Sequence, residues 1–323
     1  MSRKTLLVIA AVIGIGLAAA PVAFQMFSRA PKGAAMLSDF KPFMTTQRLD
    51  GFQQDIGQIN AAVNEVDTKA VPQLETSADE HANQTLATYR SMQQQWPQID
   101  STMTTLLDKV QANLGNYQAM AALPSFELFP WFFVIPGALI AVLAIVGLLG
   151  GLSPRPTRIG LGVIGVGLIL APVAFQMFDR APKGADMMST FKTIETPHRI
   201  GQIQSYFATM AVGQGAIRND IVPALQSTGS TTQDLATSYP ATTALDASWI
   251  HILNDMTPMI GAMSDSEPRY QAISSLPSFK LFPWFFVIPG ALVFFVAIGA
   301  AGDAPVRRTD VSEHLETTEA VSV

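Results

Sequence analysis

Cysteine is absent from the 323-residue chain. That excludes disulfides, thiolate metal sites and cysteine nucleophiles. Charge is scarce: Asp, Glu, Lys and Arg together make up 14% of the residues, against about a quarter in ordinary soluble chains. It is also unevenly placed. No charged residue occurs between Lys4 and Arg29, Glu127 and Arg155, Arg158 and Asp179, or Lys280 and Asp303. Four histidines occur, His81, His198, His251 and His314, and no two stand at metal-ligand spacing. No nucleophile elbow, P-loop or zinc-protease pattern is present, and the carboxylates show no special setting. The expectation is a non-enzymatic chain with no catalytic residue, no cofactor and no metal. A net charge of −5 offers no basic face, so no nucleic-acid partner is expected.

The uncharged windows are apolar and long. A bilayer core about 30 Å thick needs about 20 apolar residues of helix. Four stretches meet this, 6–27, 128–152, 159–178 and 281–301, and predict four transmembrane helices. The first also resembles a secretory signal, with "SRK" before the apolar run and "LAAAP" at a cleavage-like site. Retention is expected instead. Pro21 would follow the scissile bond, and the closing "APVAFQMF" also ends the third apolar stretch, where no signal can lie.

That recurrence belongs to a larger one. Residues 20–41 and 171–192 share 18 of 22 positions, and 123–140 and 276–293 share 16 of 18. Fainter matches lie between them in order: Arg48 with Arg199, Val71–Pro72 with Val222–Pro223, Trp96 with Trp249 and Tyr117 with Tyr270. The chain thus reads as a tandem duplication, 1–152 and 153–302, followed by a polar tail at 303–323 too short to fold. Each copy is a span, a polar segment (28–127 or 179–280) and a second span. An even number of spans gives both copies one orientation, with a pseudo-symmetry axis along the membrane normal.

Lys and Arg near the span ends set the expected orientation. Arg3, Lys4, Arg155, Arg158, Arg307 and Arg308 all fall on one side. The reading is a multi-pass plasma (inner) membrane protein with cytoplasmic N- and C-termini. The polar segments then face outward, with 7 basic against 11 acidic residues (−4) in the first and 7 against 9 (−2) in the second.

Those segments read as helical. Leu49, Phe52, Ile56, Ile59, Val63 and Val66 recur in steps of three and four, as do Ile99, Met103, Leu106 and Val110. The second copy repeats this at Ile200, Ile203, Phe207 and Met210, and at Ile252, Met256, Met259 and Met263. This is coiled-coil-like spacing. A hairpin or three-helix arrangement is expected in each copy, with Pro72 and Pro223 in first turns and Pro97 after a break. Two such units side by side can bury their seams as one extracytoplasmic bundle. The predicted fold class is all-α.

Two blocks are candidate sites. In "FPWFFVIPGAL", at 129–139 and 282–292, Trp131 and Trp284 are expected as interfacial anchors. Pro136 and Pro289 are expected to kink the spans, beside Gly137 and Gly290, which permit close backbone approach. Gly16 with Ala20, Gly167 with Ala171, and Gly147 with Gly151 have the four-residue spacing of close helix contacts. In "RAPKG", Arg29, Lys32, Arg180 and Lys183 stand just outside spans one and three, against the usual bias. They are candidate contacts for anionic headgroups or a partner's acidic patch. The competing reading is a pair of helix-flanking cations and a turn made by Pro and Gly. "GLGVIG" at 160–165 matches a dinucleotide motif in letters only, because it lies inside an apolar span.

Three functions remain open. The first is an envelope scaffold or accessory subunit that binds another membrane protein through its outer bundle. The second is a lipid or hydrophobic-ligand binding or transport protein. The third is an extracytoplasmic sensor lacking its own signalling domain. Expected partners are membrane lipid and either a protein partner or a second copy, met through the spans and outer helices.

Overall fold

A computed structural model describes residues 2–76 and 82–299. Every regular element in them is helical. The tail 303–323, the last residues of the fourth predicted span, and Arg307, Arg308, His81 and His314 lie outside them.

The first half of the chain runs α1 (Arg3–Ala23), α2 (Met26–Phe40), α3 (Thr46–Glu65), a π turn (Val66–Ala70), α4 (Val71–Thr76), α5 (Ala82–Ala112), α6 (Leu114–Ala121) and α7 (Phe129–Leu148). The second half runs α8 (Pro154–Ala174), α9 (Met177–Phe191), α10 (Pro197–Ala216), a π turn (Ile217–Ile221), α11 (Val222–Ser227), α12 (Thr232–Ser238), α13 (Pro240–Ser274) and α14 (Trp284–Gly299). Four helical stretches are long and apolar enough to cross a membrane: Arg3–Ala23, Phe126–Leu148, Pro154–Ala174 and Phe279–Gly299.

Two of these end earlier than the apolar windows predict. Gln25 and Gln176 take the left-handed conformation, with φ of 53° and 54°. The N–H of Gln25 closes back on the Val22 carbonyl (3.0 Å), while its own carbonyl accepts from Ser28 and Arg29 (both 3.1 Å). One residue therefore ends α1 and starts α2. "FQMF" belongs to this turn and the next helix, not to the span. A Cβ makes that conformation cost about 1–2 kcal/mol, so the surrounding packing imposes it.

The chain divides into two compact units. One holds most of α1, α7, α8 and α14; the other, Pro21–Trp131 with Val173–Pro283, holds the helices between them. In the first unit the spans meet backbone to backbone. A Cβ on Gly14 would sit 2.5 Å from the Ala141 nitrogen, and one on Gly137 2.6 Å from the Ala18 nitrogen. Gly165 and Gly290 make the same reciprocal contact between α8 and α14, each Cβ position within 2.9 Å of the other's carbonyl oxygen. The Phe133 and Phe286 rings stack at 4.6 Å between α7 and α14. Outward faces carry Val12, Ile15, Val142, Ile159 and Phe295, all exposed. In a membrane such faces meet lipid or another helix.

Of the small-residue pairs singled out in the sequence, Gly16 and Gly167 have nothing within 4 Å of a Cβ position. The contact glycines are Gly14 and Gly165, one register away, opposite the expected Gly137 and Gly290. Gly147 does face a neighbour, the Thr157 methyl at 3.0 Å.

In the second unit α3 packs on α5 and α10 on α13. The two halves also interlock: α13 lies against α2 and α3, α10 against α5, and α9 against α6. The seam residues fill this interior. Leu49, Phe52, Ile99, Met103, Ile203, Ile252 and Met256 are all buried. Phe207 is only half-buried, and its neighbour Tyr206 takes the inward place. Tyr117 donates to the Leu37 carbonyl (2.7 Å) and its counterpart Tyr270 to that of Met188 (2.9 Å).

Pro97 lies inside α5, not after a break. Buried Trp96 and Ile99 on either side hold the helix to the core, offsetting the roughly 3 kcal/mol that an internal proline costs. Pro72 and Pro223 do sit in first turns, but without interruption, because each is approached through a π turn. Val71 donates to Val66, and Val222 to Ile217, five residues back. The wider turn moves the carbonyl that a proline ring would otherwise strike.

Candidate functional site

The RAPKG blocks are helical. Pro31 and Gly33 lie inside α2, and Pro182 and Gly184 inside α9, so neither pair makes a turn. Gly33 and Gly184 are packing residues. A Cβ on Gly184 would overlap the Met120 sulfur, and one on Gly33 would touch Ile273 at 3.4 Å. Arg29 donates to the Phe24 carbonyl (3.3 Å) at the end of the first span, and Arg180 to that of Ala122 (2.7 Å). These arginines satisfy helix-end carbonyls. Lys32 and Lys183 stand one turn further along and are exposed.

In the aromatic blocks, Trp131 is half exposed and meets Phe27 edge to face at 5.5 Å. Trp284 is exposed to the same extent, 49%. Pro136 and Pro289 lie inside α7 and α14, next to the contact glycines.

Three features escaped the sequence reading. The first is an ionic cluster joining α3 to α13. Arg48 donates to Asp255 at 2.8 Å, His251 lies 3.5 Å from the same carboxylate, and the Arg48 guanidinium lies over the Phe52 ring. Burial, then the nearby Asp255 charge, raises the Asp55 carboxyl above its usual range.

The second is Glu195, between α9 and α10. It is 3% exposed, and neither carboxyl oxygen has a hydrogen-bond partner. It lines an apolar hollow with Phe40, Phe43, Met44, Met259 and Met263. Burial, and secondarily Glu267, pushes its pKa up to about 8. In the first half the matching position is Met44, equally buried. A buried acid stands where its counterpart is a hydrocarbon-like side chain.

The third is a cavity of about 180 Å³ between the two π turns. Val66 and Ala70 wall one side, Ile217 and Ile221 another, and Leu225 and Leu235 complete the apolar lining. Tyr239, Thr242 and Thr243 also line it, and Arg218 and Asp246 flank it. The Arg218 guanidinium lies 3.6 Å from the Asp246 carboxylate, which also accepts from Gln214 at 3.0 Å. Beside the cavity, Glu65 accepts from the Thr242 N–H (2.8 Å) and hydroxyl (3.0 Å). It thereby caps the free donors at the start of α13. Lys69 bridges Glu65 and the Ser238 carbonyl (3.3 and 2.8 Å). The matched Val-Pro pairs were the available sequence signal for the π turns; the cavity needed the fold.

Among the described residues no group of three or more His, Asp or Glu side chains is placed to hold a metal ion. Comparison of the chain with protein-family models, curated proteins and solved structures finds no match.

Proposed function

We propose that the protein is a non-enzymatic membrane scaffold or accessory subunit, which binds another membrane protein through its inter-span helical unit. In this reading the four spans cross the plasma (inner) membrane with both termini cytoplasmic. The inter-span unit is extracytoplasmic, and Trp131 and Trp284 sit at the outer water–lipid boundary. The tandem halves act as the two sides of one body related by an approximate two-fold axis.

The observation that carries this reading is the pairing of counterparts. Phe40 meets Phe191 (6.3 Å), Phe126 meets Phe279 (5.8 Å) and Phe129 meets Phe282 (4.8 Å). Residues that contact their own equivalents are the mark of a self-complementary interface. A unit closed on itself in this way is a rigid platform, suited to presenting a fixed surface. Val212 on α10 and Ile250 on α13 offer apolar footholds, 56% and 61% exposed.

Native mass spectrometry of the protein gently extracted from its membrane tests the proposal. A stoichiometric protein partner is expected, lost in Val212→Lys and Ile250→Glu without a change in melting temperature. A bare protein, or a partner retained by both variants, contradicts it. Anionic lipid retained by the wild type and lost when Lys32 and Lys183 are neutralised would favour lipid binding instead. That second reading rests on the matched exposure of those two lysines.

A further inference from the structure

We propose that the cavity between the two π turns binds a small neutral amphiphile: an aromatic or branched aliphatic body with one hydrogen-bond-donating end, a hydroxyl or an N–H. Size sets the body. A cavity of about 150 Å³ holds benzene, so about 180 Å³ suits six to eight heavy atoms, roughly. Aliphatic side chains from both halves line it, which favours an apolar body.

Charge sets the neutrality. The two charged side chains at the cavity, Arg218 and Asp246, already face one another, and Gln214 holds the carboxylate. A charged ligand would find no unmatched charge there. Hydrogen bonding sets the polar end. Tyr239 gives its proton to Gln73 (2.7 Å), Thr242 to Glu65 (3.0 Å) and Thr243 to the Tyr239 carbonyl (3.0 Å). All three hydroxyls have spent their donor and keep lone pairs. A donor on the ligand engages these lone pairs, which an ether or ketone end cannot use. The π turns supply the room. Such turns are single-turn departures from α geometry that recur at functional sites, and here one from each half faces the same space. The site is independent of the partner surface proposed above.

The test uses the full-length protein in lipid nanodiscs with isotope-labelled isoleucine methyls. The probes are benzyl alcohol, which carries a donor, and anisole, its isomeric ether, which does not. The expected result is saturable methyl shifts at Ile217 and Ile221 with benzyl alcohol, while Ile99 and Ile252 stay still. Loss of one hydrogen bond should weaken the ether about tenfold. Ala236→Phe should abolish the shifts by filling the cavity; if that variant loses its cooperative melt, Ala70→Leu takes its place. Shifts that never saturate, that reach Ile99 and Ile252 equally, or that persist in the folded filled variant would overturn the site. Equal affinity for alcohol and ether would overturn the requirement for a donor.

Discussion

Glu195 is the residue most at odds with its surroundings. A carboxyl buried among Phe and Met side chains, with neither oxygen partnered, is held as the neutral acid. Its pKa rises from the usual 4.5 to about 8 in the folded chain. Below pH 4.5 the group is protonated in both states and costs nothing extra. Between these values the folded state binds the proton and the unfolded state does not, so stability falls as pH rises through that window. Each unit of displacement is worth about 1.4 kcal/mol. Glu195→Met copies Met44, the residue at the matching place. It should raise the melting temperature at pH 8 by the equivalent of about 4–5 kcal/mol and flatten the decline between pH 5 and 8, as followed by circular dichroism across pH. An unchanged pH profile would mean that Glu195 already finds a partner or water. Nothing in the local pattern marks this residue, because a single Glu in a polar segment reads as a solvated charge until its burial is known.

At the scale of elements, close-contact spacing was legible but its register was not. Gly137 and Gly290 stood out beside their prolines and do meet another backbone. Their partners were misplaced by two residues, because "GIG" and "GVG" each offer two glycines on different helix faces, and periodicity does not say which face is inside. A Cβ on Gly165 would overlap the backbone of Gly290 and Phe294, whereas one on Gly167 would face open space. Gly165→Ala should therefore cost about 1–3 kcal/mol through overpacking against backbone. Gly167→Ala should be neutral or gain about 0.5 kcal/mol. Thermal unfolding of the two variants in one detergent compares them directly; equal destabilisation would refute the contact. Prolines were misjudged for a related reason. Pro97 looked like a break, but buried neighbours on both sides carry α5 through it. The turns at Gln25 and Gln176 were hidden because glutamine is not the residue that local rules place in a left-handed turn.

At the scale of the whole molecule, the scarcity and placement of charge made four membrane-length helices and an all-helical chain legible. The heptad spacing in turn located most of the buried seam. Pattern reading allowed two units side by side to bury their seams as one bundle, but not which helices pair: α13 serves α2 and α3 of the first half, and α6 of the first serves α9 of the second. Contacts separated by more than fifty residues along the chain leave no periodic trace. The cavity between the π turns arises from the same interlocking and was equally invisible.

The proposed role requires this unit to face outward. With no native cysteine, single cysteines at exposed Ser227 and Ser153 can be probed in intact cells with a membrane-impermeant maleimide. With the unit outside, Ser227→Cys labels at once and Ser153→Cys only after the membrane is opened. Labelling of Ser153→Cys in intact cells, with Ser227→Cys protected, would contradict it.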